Sequence, residues 1–364
     1  MSNSTGNKIG LPIYEALADR IRQSIRVGEY SSGQMIGSEY ELARRESISR
    51  MTVRRASELL VNEGLVERRP GKGLYVRSDR VNTRMVQMVA GNLQWEPSLQ
   101  VSRGAQTVAK QRGIQVQLYD AHGDVELDLA MLRQLPTSQA RGAIVVSLHS
   151  PTFNEAVYQL KVEKFPFVLV DQRLQDIEVS SVTADDHSGG YQVGQVFTQA
   201  GHKRIAFIGD LDATTVRDRQ AGLRDAIADA GQRFDRSLVL DLQAGMDRMG
   251  DWSARIDVCV RDVMGRPNPP TAIFFSCDAV ARTAYRTLLQ MGLRIPQDVS
   301  VMGYDDDPLA EWLTPGLTTV RQPFLGMGQA AMEMLCRRMG NSHLPVEHQV
   351  LPVELVNRGS VAAL

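Results

Sequence analysis

The first 76 residues carry three helical patterns and one alternating pattern. Behind Pro12, which suits the first helical position, Tyr14, Leu17, Ala18, Ile21 and Ile25 recur at helical spacing, and Gly28 is placed as a stop. Ser38-Glu39-Tyr40-Glu41 has the form of a capping box ahead of Leu42 and Ala43, so a short second helix is predicted to start there. Ser49 can cap a third helix with Val53, Ala56 and Leu60 on one face, Arg50, Arg54 and Arg55 elsewhere, and Gly64 as its end. Residues Leu65 to Val76 then alternate around Arg68-Arg69-Pro70-Gly71-Lys72-Gly73, which predicts two short strands joined by a basic turn.

From Val76 to Thr83 the chain is polar and without periodicity, and residues 77–83 are predicted to form a linker. Beyond it the pattern changes. Short apolar runs (Met85 to Ala90, Val116 to Tyr119, Ala143 to Ser147, Phe167 to Val170, Ile205 to Ile208, Ala272 to Phe275, Val299 to Gly303) alternate with helical stretches such as Leu99 to Arg112 and Ala279 to Met291. Strands apolar on both faces, separated by helices, predict parallel sheets covered on each side. The fold class expected is α/β: an N-terminal winged helix-turn-helix at 1–76 and a two-lobed body of doubly wound parallel sheets at 84–364. About 280 residues exceed one such unit. One lobe is expected to take about 84–183 and 309–321, and the other about 184–308 and 322–364.

Composition adds two restrictions. The 364 residues are 43% hydrophobic and 23% charged, which suits packed domains and excludes a disordered chain. Cys259, Cys277 and Cys336 are odd in number and at no metal-ligand spacing, and the six histidines include no ligand-spaced pair, so no metal and no cofactor is expected. No Gly-x-Gly-x-x-Gly or P-loop follows a strand. A polar start and the lack of a run of about 18 apolar residues point to a cytoplasmic protein with no membrane partner. The net charge of -1 divides unevenly: residues 1–80 hold 14 Lys and Arg against 10 Asp and Glu, leaving an excess of acid in the rest. Such asymmetry suits a head that meets a polyanion.

Ligands of parallel sheets bind beyond the carboxyl ends of the strands. Those positions here include His149, Asp171, Asp210 to Arg219, Cys277-Asp278 and Asp305-Asp306. Carboxylates, an arginine and an aromatic ring suit a polyhydroxylated ligand, with oxygens accepting from hydroxyls and a ring covering the C–H face.

The head resembles the GntR-type winged-helix regulators through Ser38-Glu39-Tyr40-Glu41-Leu42-Ala43, Ser49-Arg50-Met51-Thr52-Val53-Arg54-Arg55-Ala56 and Glu63-Gly64-Leu65-Val66-Glu67-Arg68-Arg69-Pro70-Gly71-Lys72-Gly73. That resemblance implies DNA contacts from Ser38, Tyr40, Ser49, Arg50, Thr52, Arg54, Gly71 and Lys72, although many relatives have arginine at the place of Tyr40. Arg55 is expected to face solvent or an acidic neighbour.

The body resembles the effector domain of the LacI/GalR repressors, which is similar to periplasmic sugar-binding proteins. Val170-Asp171-Gln172-Arg173, Gly201-His202-Lys203-Arg204-Ile205-Ala206-Phe207-Ile208-Gly209, Arg219-Gln220-Ala221-Gly222, Val299-Ser300-Val301-Met302-Gly303-Tyr304-Asp305-Asp306 and Leu313-Thr314-Pro315-Gly316-Leu317-Thr318-Thr319 carry it. It implies effector contacts from Asp171, Arg219, Asp305, Trp252 and Phe324, with Cys277 and Asp278 beside them. Cysteine stands where relatives often have asparagine, which weakens a hydrogen bond at that point. Other readings stay open: Asp278 as a helix cap, Asp171 and Asp305 as turn formers, Arg219 as partner of a helix carboxylate, and Trp252 as an ordinary packed ring.

This pairing of head and body is similar to that of the arabinose repressors. It implies a transcriptional regulator, a repressor by preference, that binds double-stranded operator DNA as a homodimer under the control of a small effector, a sugar or sugar derivative. The alternative is an enzyme domain acting on a sugar or amino compound behind a DNA-binding head. No lysine in a Schiff-base setting and no nucleophile-base pair supports it.

Overall fold

The structure is a computed structural model that describes residues 12–26, 28–77, 85–146, 151–174, 176–243, 252–341 and 344–364. The polar start, the linker from 78 on, His149 and the residues just before Trp252 lie outside them. The chain divides into two compact units, one of residues 1–84 with 339–342 and the other of 85–338 with 343–364.

In the head, α1 (Ile13–Arg26), α2 (Glu39–Glu46) and α3 (Arg50–Asn62) form where the apolar spacing places them. Ser38 accepts from the Glu41 amide at 3.1 Å while the Ser38 amide donates to Glu41 Oε2 at 2.7 Å, which completes the capping box. Leu17, Ala18, Ile21, Leu42, Val53, Ala56 and Leu60 close over one another and are almost wholly buried. The hairpin is β2 (Val66–Arg69) and β3 (Gly73–Val76), and β1 (Met35–Gly37) adds a third strand on the far side of β3. Three residues are too few for an alternating pattern to show, so β1 has no sequence signal.

The body holds two parallel sheets. The first takes β4 (Met85–Ala90), β5 (Gln115–Asp120), β6 (Gly142–Val146), β7 (Phe167–Val170) and β8 (Ser181–Ala184), interleaved with α4 (Glu96–Gln111), α5 (Val125–Gln134) and α6 (Pro151–Val162). The second follows α7 (Asp186–Gln199) and comprises β9 (Ile205–Gly209), β10 (Val239–Asp241), β11 (Ala272–Phe275) and β12 (Ser300–Met302), with α8 (Thr214–Asp229), α9 (Trp252–Met264) and α10 (Asp278–Gln290) between them. β6, β7, β9 and β11 are buried along their whole length, as strands covered on both faces must be.

The last 50 residues correct the expected lobes. Residues 309–321 stay with the second sheet: the Gly303 amide donates to Thr318 O at 3.0 Å, and β13 (Thr319–Arg321) begins beside a parallel bridge from Thr318 to Met302. The chain then returns to the first sheet. After α11 (Phe324–Gly340), β14 (His348–Leu351) pairs in parallel with β8, giving the order β14-β8-β7-β6-β4-β5. Gly328 of α11 is close enough to α4 that an added Cβ would lie 2.0 Å from Val101 O. Finally β15 (Glu354–Val356) pairs antiparallel with β13. Local pattern gives the element but not its sheet, because an apolar run of three or four residues suits either core equally.

One packing detail fixes the site. α7 and α8 cross closely because Gly190 faces the Arg219 carbonyl and Gly222 faces the His187 carbonyl. A Cβ would lie 1.9 Å and 2.0 Å from those oxygens respectively, so neither position tolerates a side chain without moving a helix.

Candidate functional site

Two groups of side chains stand out. In the head, Ser49 accepts from the Thr52 amide at 3.1 Å and its hydroxyl lies 2.8 Å from that of Thr52, so both polar groups sit at the amino end of α3. That end carries partial positive charge and unpaired amides, which attract phosphate. Arg50 and Arg54 are exposed one turn apart on the same helix. Arg54 reaches Glu58 at 3.2 Å, an exposed pair that a stronger anion can displace at little cost. Arg50 and Lys72 have no ion-pair partner among the described residues. Arg55 is exposed to solvent, as expected, and its guanidinium also lies 5.8 Å from the centroid of the Tyr14 ring. In the wing, the Lys72 amide donates to Arg69 O at 3.0 Å across Pro70 and Gly71, and Gly71 has φ +70°. Proline followed by a residue of positive φ is the sequence of a type II turn, which presents Gly71 and Lys72 at the tip. Tyr40 is exposed on α2.

In the body, Arg219 is 4% exposed on α8. It donates from Nε to Asp186 Oδ1 at 2.7 Å and from Nη1 to Ser276 O at 2.6 Å, lies 3.8 Å from Asp305 Oδ1, and covers the Tyr304 ring at 3.9 Å. Burial opposes the guanidinium charge, but the carboxyl of Asp186, and behind it that of Asp305, favour the protonated form. Arg219 is thus the partner of a helix carboxylate, that of Asp186, the first residue of α7.

Asp305 accepts from Gln322 Nε2 at 2.7 Å, and burial pushes its carboxyl well above the usual range against the pull of Arg219. Asp171 follows β7, and the ends of the two sheets meet beside it: Thr214 of α8 donates from Oγ1 to Arg173 O at 3.1 Å, and Arg173 pairs with Asp218 of α8 at 2.8 Å. Asp171 and Asp305 have φ of +59° and +113°, while their amides still donate to Val182 O and Val320 O. Such backbone costs about 1–3 kcal/mol per residue and collects at functional sites. Of the buried polar atoms beside this group, Gln172 Nε2, Tyr304 Oη and Gln322 Oε1 have no hydrogen-bond partner among the described residues. The large majority of buried side-chain polar atoms are satisfied, so these three are hydrogen-bonding capacity that the described residues leave unused.

The other sequence candidates divide. Both oxygens of Asp278 are engaged inside the protein, Oδ1 by Thr319 Oγ1 at 2.7 Å and Oδ2 by the Asp307 amide at 2.8 Å, so it ties α10 to β13 and the loop after β12. Burial pushes its carboxyl up to about 7. Cys277 precedes α10 without capping it, and burial pushes its thiol up to about 12, so it is a neutral and weak hydrogen-bonding group. Trp252 and Phe324 are the first residues of α9 and α11, the former 37% exposed and the latter buried. Asp186, Tyr304 and Gln322 belong to the group and were not among the candidates. Asp186 had a signal, as an acidic residue opening a helix after a strand; a buried Tyr or Gln has none. Two surface hollows lie elsewhere, about 810 Å³ beside β4 and β5 and about 560 Å³ beside α10 and Trp312. Among the described residues no group of side chains could hold a metal ion, and no helix is long and apolar enough to cross a membrane.

A three-helix head with a basic wing, joined to a body of two parallel sheets with a polar group between their carboxyl ends, defines the class of ligand-regulated DNA-binding proteins. Residues 13–76 match the model of bacterial regulatory proteins of the gntR family, and residues 195–361 match a periplasmic binding protein-like domain. The ribose operon repressor of Escherichia coli (strain K12) is 30% identical over 261 residues, 71% of this chain and 76% of that protein. The chain belongs to this family of bacterial transcriptional repressors, with a GntR-type head. In both parts it is similar to the arabinose metabolism transcriptional repressor of Geobacillus stearothermophilus, at 27% identity over 89% of this chain and 90% of that one. The transcription regulator CcpA of Lactococcus lactis covers 77% of this chain with all of its own, at a TM-score of 0.69 and 24% identity, and shares the fold of the body. These relatives are regulators, and none supports the enzyme alternative.

Proposed function

We propose that this repressor binds palindromic operator DNA as a homodimer in the cytoplasm and changes its grip when a neutral sugar enters the body beside Arg219. The observation that carries the effector reading is the meeting of Asp171, Arg219 and Asp305 at the ends of two sheets, with three buried polar atoms unpartnered beside them. A sugar hydroxyl donates to a carboxylate and accepts from a guanidinium or amide, which suits this mixed set; the excess of carboxylates favours an uncharged ligand. In the head, Arg50 and Arg54 approach bases or phosphates, Ser38, Ser49 and Thr52 hold phosphates, Tyr40 adds a contact from α2, and Gly71 and Lys72 reach the minor groove. In the body, Trp252 and Phe324 supply the apolar surface for the ring, and Cys277 lines the site without a strong hydrogen bond.

Binding that draws the two sheets together alters the affinity for DNA by a factor that DNA returns on sugar affinity. The expected sign is release. Similar proteins guide the choice of probes: a LacI family regulator of Enterococcus faecium was solved with bound ribose, and the regulators named above serve arabinose metabolism and a ribose operon. The test is a thermal-shift screen of ribose, arabinose, other pentoses, hexoses, disaccharides, sugar acids and sugar phosphates. A ligand at 100 times its Kd adds about 2.7 kcal/mol of stability. A panel in which only anionic sugars raise the midpoint contradicts the neutral assignment, and one in which none does contradicts the sugar.

A further inference from the structure

Single exposed apolar side chains are ordinary on protein surfaces, and one carries meaning only through where it stands. On α3 one stands at the amino end: Met51 is 67% exposed, among Ser49, Arg50, Thr52 and Arg54. The buried stripe of this helix is Val53, Ala56, Ser57 and Leu60. At about 100° per residue, Met51 points about 170° away from the middle of that stripe, straight outward from the head. Its outward neighbours are engaged, Arg54 with Glu58 and Arg55 with the Tyr14 ring. Val61, the other exposed apolar residue of α3, lies near the far end. Met51 is therefore the apolar group that leads α3 into whatever groove it enters.

We propose that Met51 reads the C5 methyl group of a thymine in the major groove, and so sets one position of sequence preference in each half-site. This rests on the DNA-binding role of α3 proposed above. The thymine methyl is the apolar feature of the major-groove edge, and contact with it is how an apolar side chain distinguishes thymine from other bases. A thioether on a flexible stem fits such a contact without a fixed donor geometry. The arginines on either side supply attraction to the polyanion but cannot sense a methyl group.

The experiment uses the full-length protein. Preferred duplexes are selected from a random-sequence pool, and each thymine of the selected sequence is then replaced in turn by deoxyuridine, which differs only in lacking the methyl. The wild type is expected to lose about fourfold in affinity for one uracil position per half-site, the value of one buried methyl-sized group. Met51→Ala is expected to bind the thymine and uracil duplexes equally, with an unchanged thermal midpoint because the side chain is exposed. Met51→Gln should select a different base at that position. A uracil scan that is flat for the wild type, or a uracil penalty that persists in full in Met51→Ala, overturns the proposal while leaving DNA binding intact. Failure of the wild type to retain any duplex overturns both readings.

Discussion

Arg54 and Arg219 are the same residue in opposite settings. Arg54 lies on the surface of α3 with a side chain 56% exposed and a neighbouring glutamate at 3.2 Å. Arg219 lies between two sheets with Asp186, Ser276 O, Asp305 and the Tyr304 ring around it. A surface arginine keeps its charge available for a macromolecule and contributes little to stability. A buried one is expensive to desolvate, so it exists only with its partners in place, and it presents a fixed array to a small molecule. The head thus offers its charges outward, and the body turns them inward.

The largest expected effect lies on the buried side. Arg219→Ala leaves Asp186 without its partner in a buried site, so the body should lose about 3–5 kcal/mol of stability by urea or thermal unfolding, along with any sugar response. A loss under about 1 kcal/mol would mean that Arg219 is not the organiser of this group. Because removal damages the fold as well as the site, Asp305→Asn is the gentler test of sugar binding.

Next comes the pH response, which should originate in the body if that is where charge is buried. Asp128 on α5 is 5% exposed, and burial together with Asp120 and Asp124 pushes its carboxyl from 3.8 up to about 7. The folded state therefore holds a proton between about pH 4 and 7 that the unfolded state releases. Stability from this group is full below pH 4 and is lost as pH rises through 7. Asp128→Asn should be more stable than the wild type at pH 8, by on the order of 2 kcal/mol, and the gap should close toward pH 4. The difference between the two melting curves isolates this residue from Asp278, which shifts in the same direction. A constant gap at all pH values would refute its titration. His202, held by Thr271 and Ser300 and lowered by burial, acts oppositely and costs stability as pH falls below about 6.5.

The same contrast explains what could be read from the chain beforehand. The head was legible because its interface is local: a capping box, an N-cap serine, arginines at i and i+4 and a Pro-Gly turn are each contained in a few consecutive residues. The alternation of strands and helices in the body was legible for the same reason, since burial on both faces leaves uninterrupted apolar runs. The lobes were not, because β13, β14 and β15 are three or four residues long and β14 finds its partner in the other half of the body, with Val350 beside Thr183. The buried group was half legible. Asp171 and Asp305 stand at strand ends, where chemistry is expected, whereas Gln322 and Tyr304 enter it through sheet order and side-chain direction, and Asp278 left it because Thr319 arrives from a crossover.

On the outward side the effects should fall on DNA and leave folding alone. Arg54→Ala is expected to reduce affinity for a selected operator by about 10- to 100-fold, as for a lost base contact, with the unfolding midpoint and sugar-induced thermal shift unchanged. Binding measured by fluorescence anisotropy at fixed salt decides it. If the variant binds normally, α3 is not the recognition helix; if it unfolds, Arg54 is not the free surface group its exposure indicates.

The smallest effect distinguishes the wing from the helix. Lys72 follows Gly71 at the tip of a turn and has no ion-pair partner among the described residues, so the role proposed for it in DNA binding is that of a point charge near a phosphate. Each such contact releases about one counterion, and the logarithm of affinity falls with the logarithm of salt by about 0.9 per phosphate neutralised. In a symmetric dimer Lys72→Ala should therefore lower the salt slope by about two, one per head, and weaken binding several-fold at low salt, equally for the selected duplex and for unrelated DNA. Arg54→Ala should do the reverse, weakening the selected duplex far more than unrelated DNA. Should Lys72→Ala instead relax sequence preference, the wing reads bases, and outward charge in this head carries information as well as attraction.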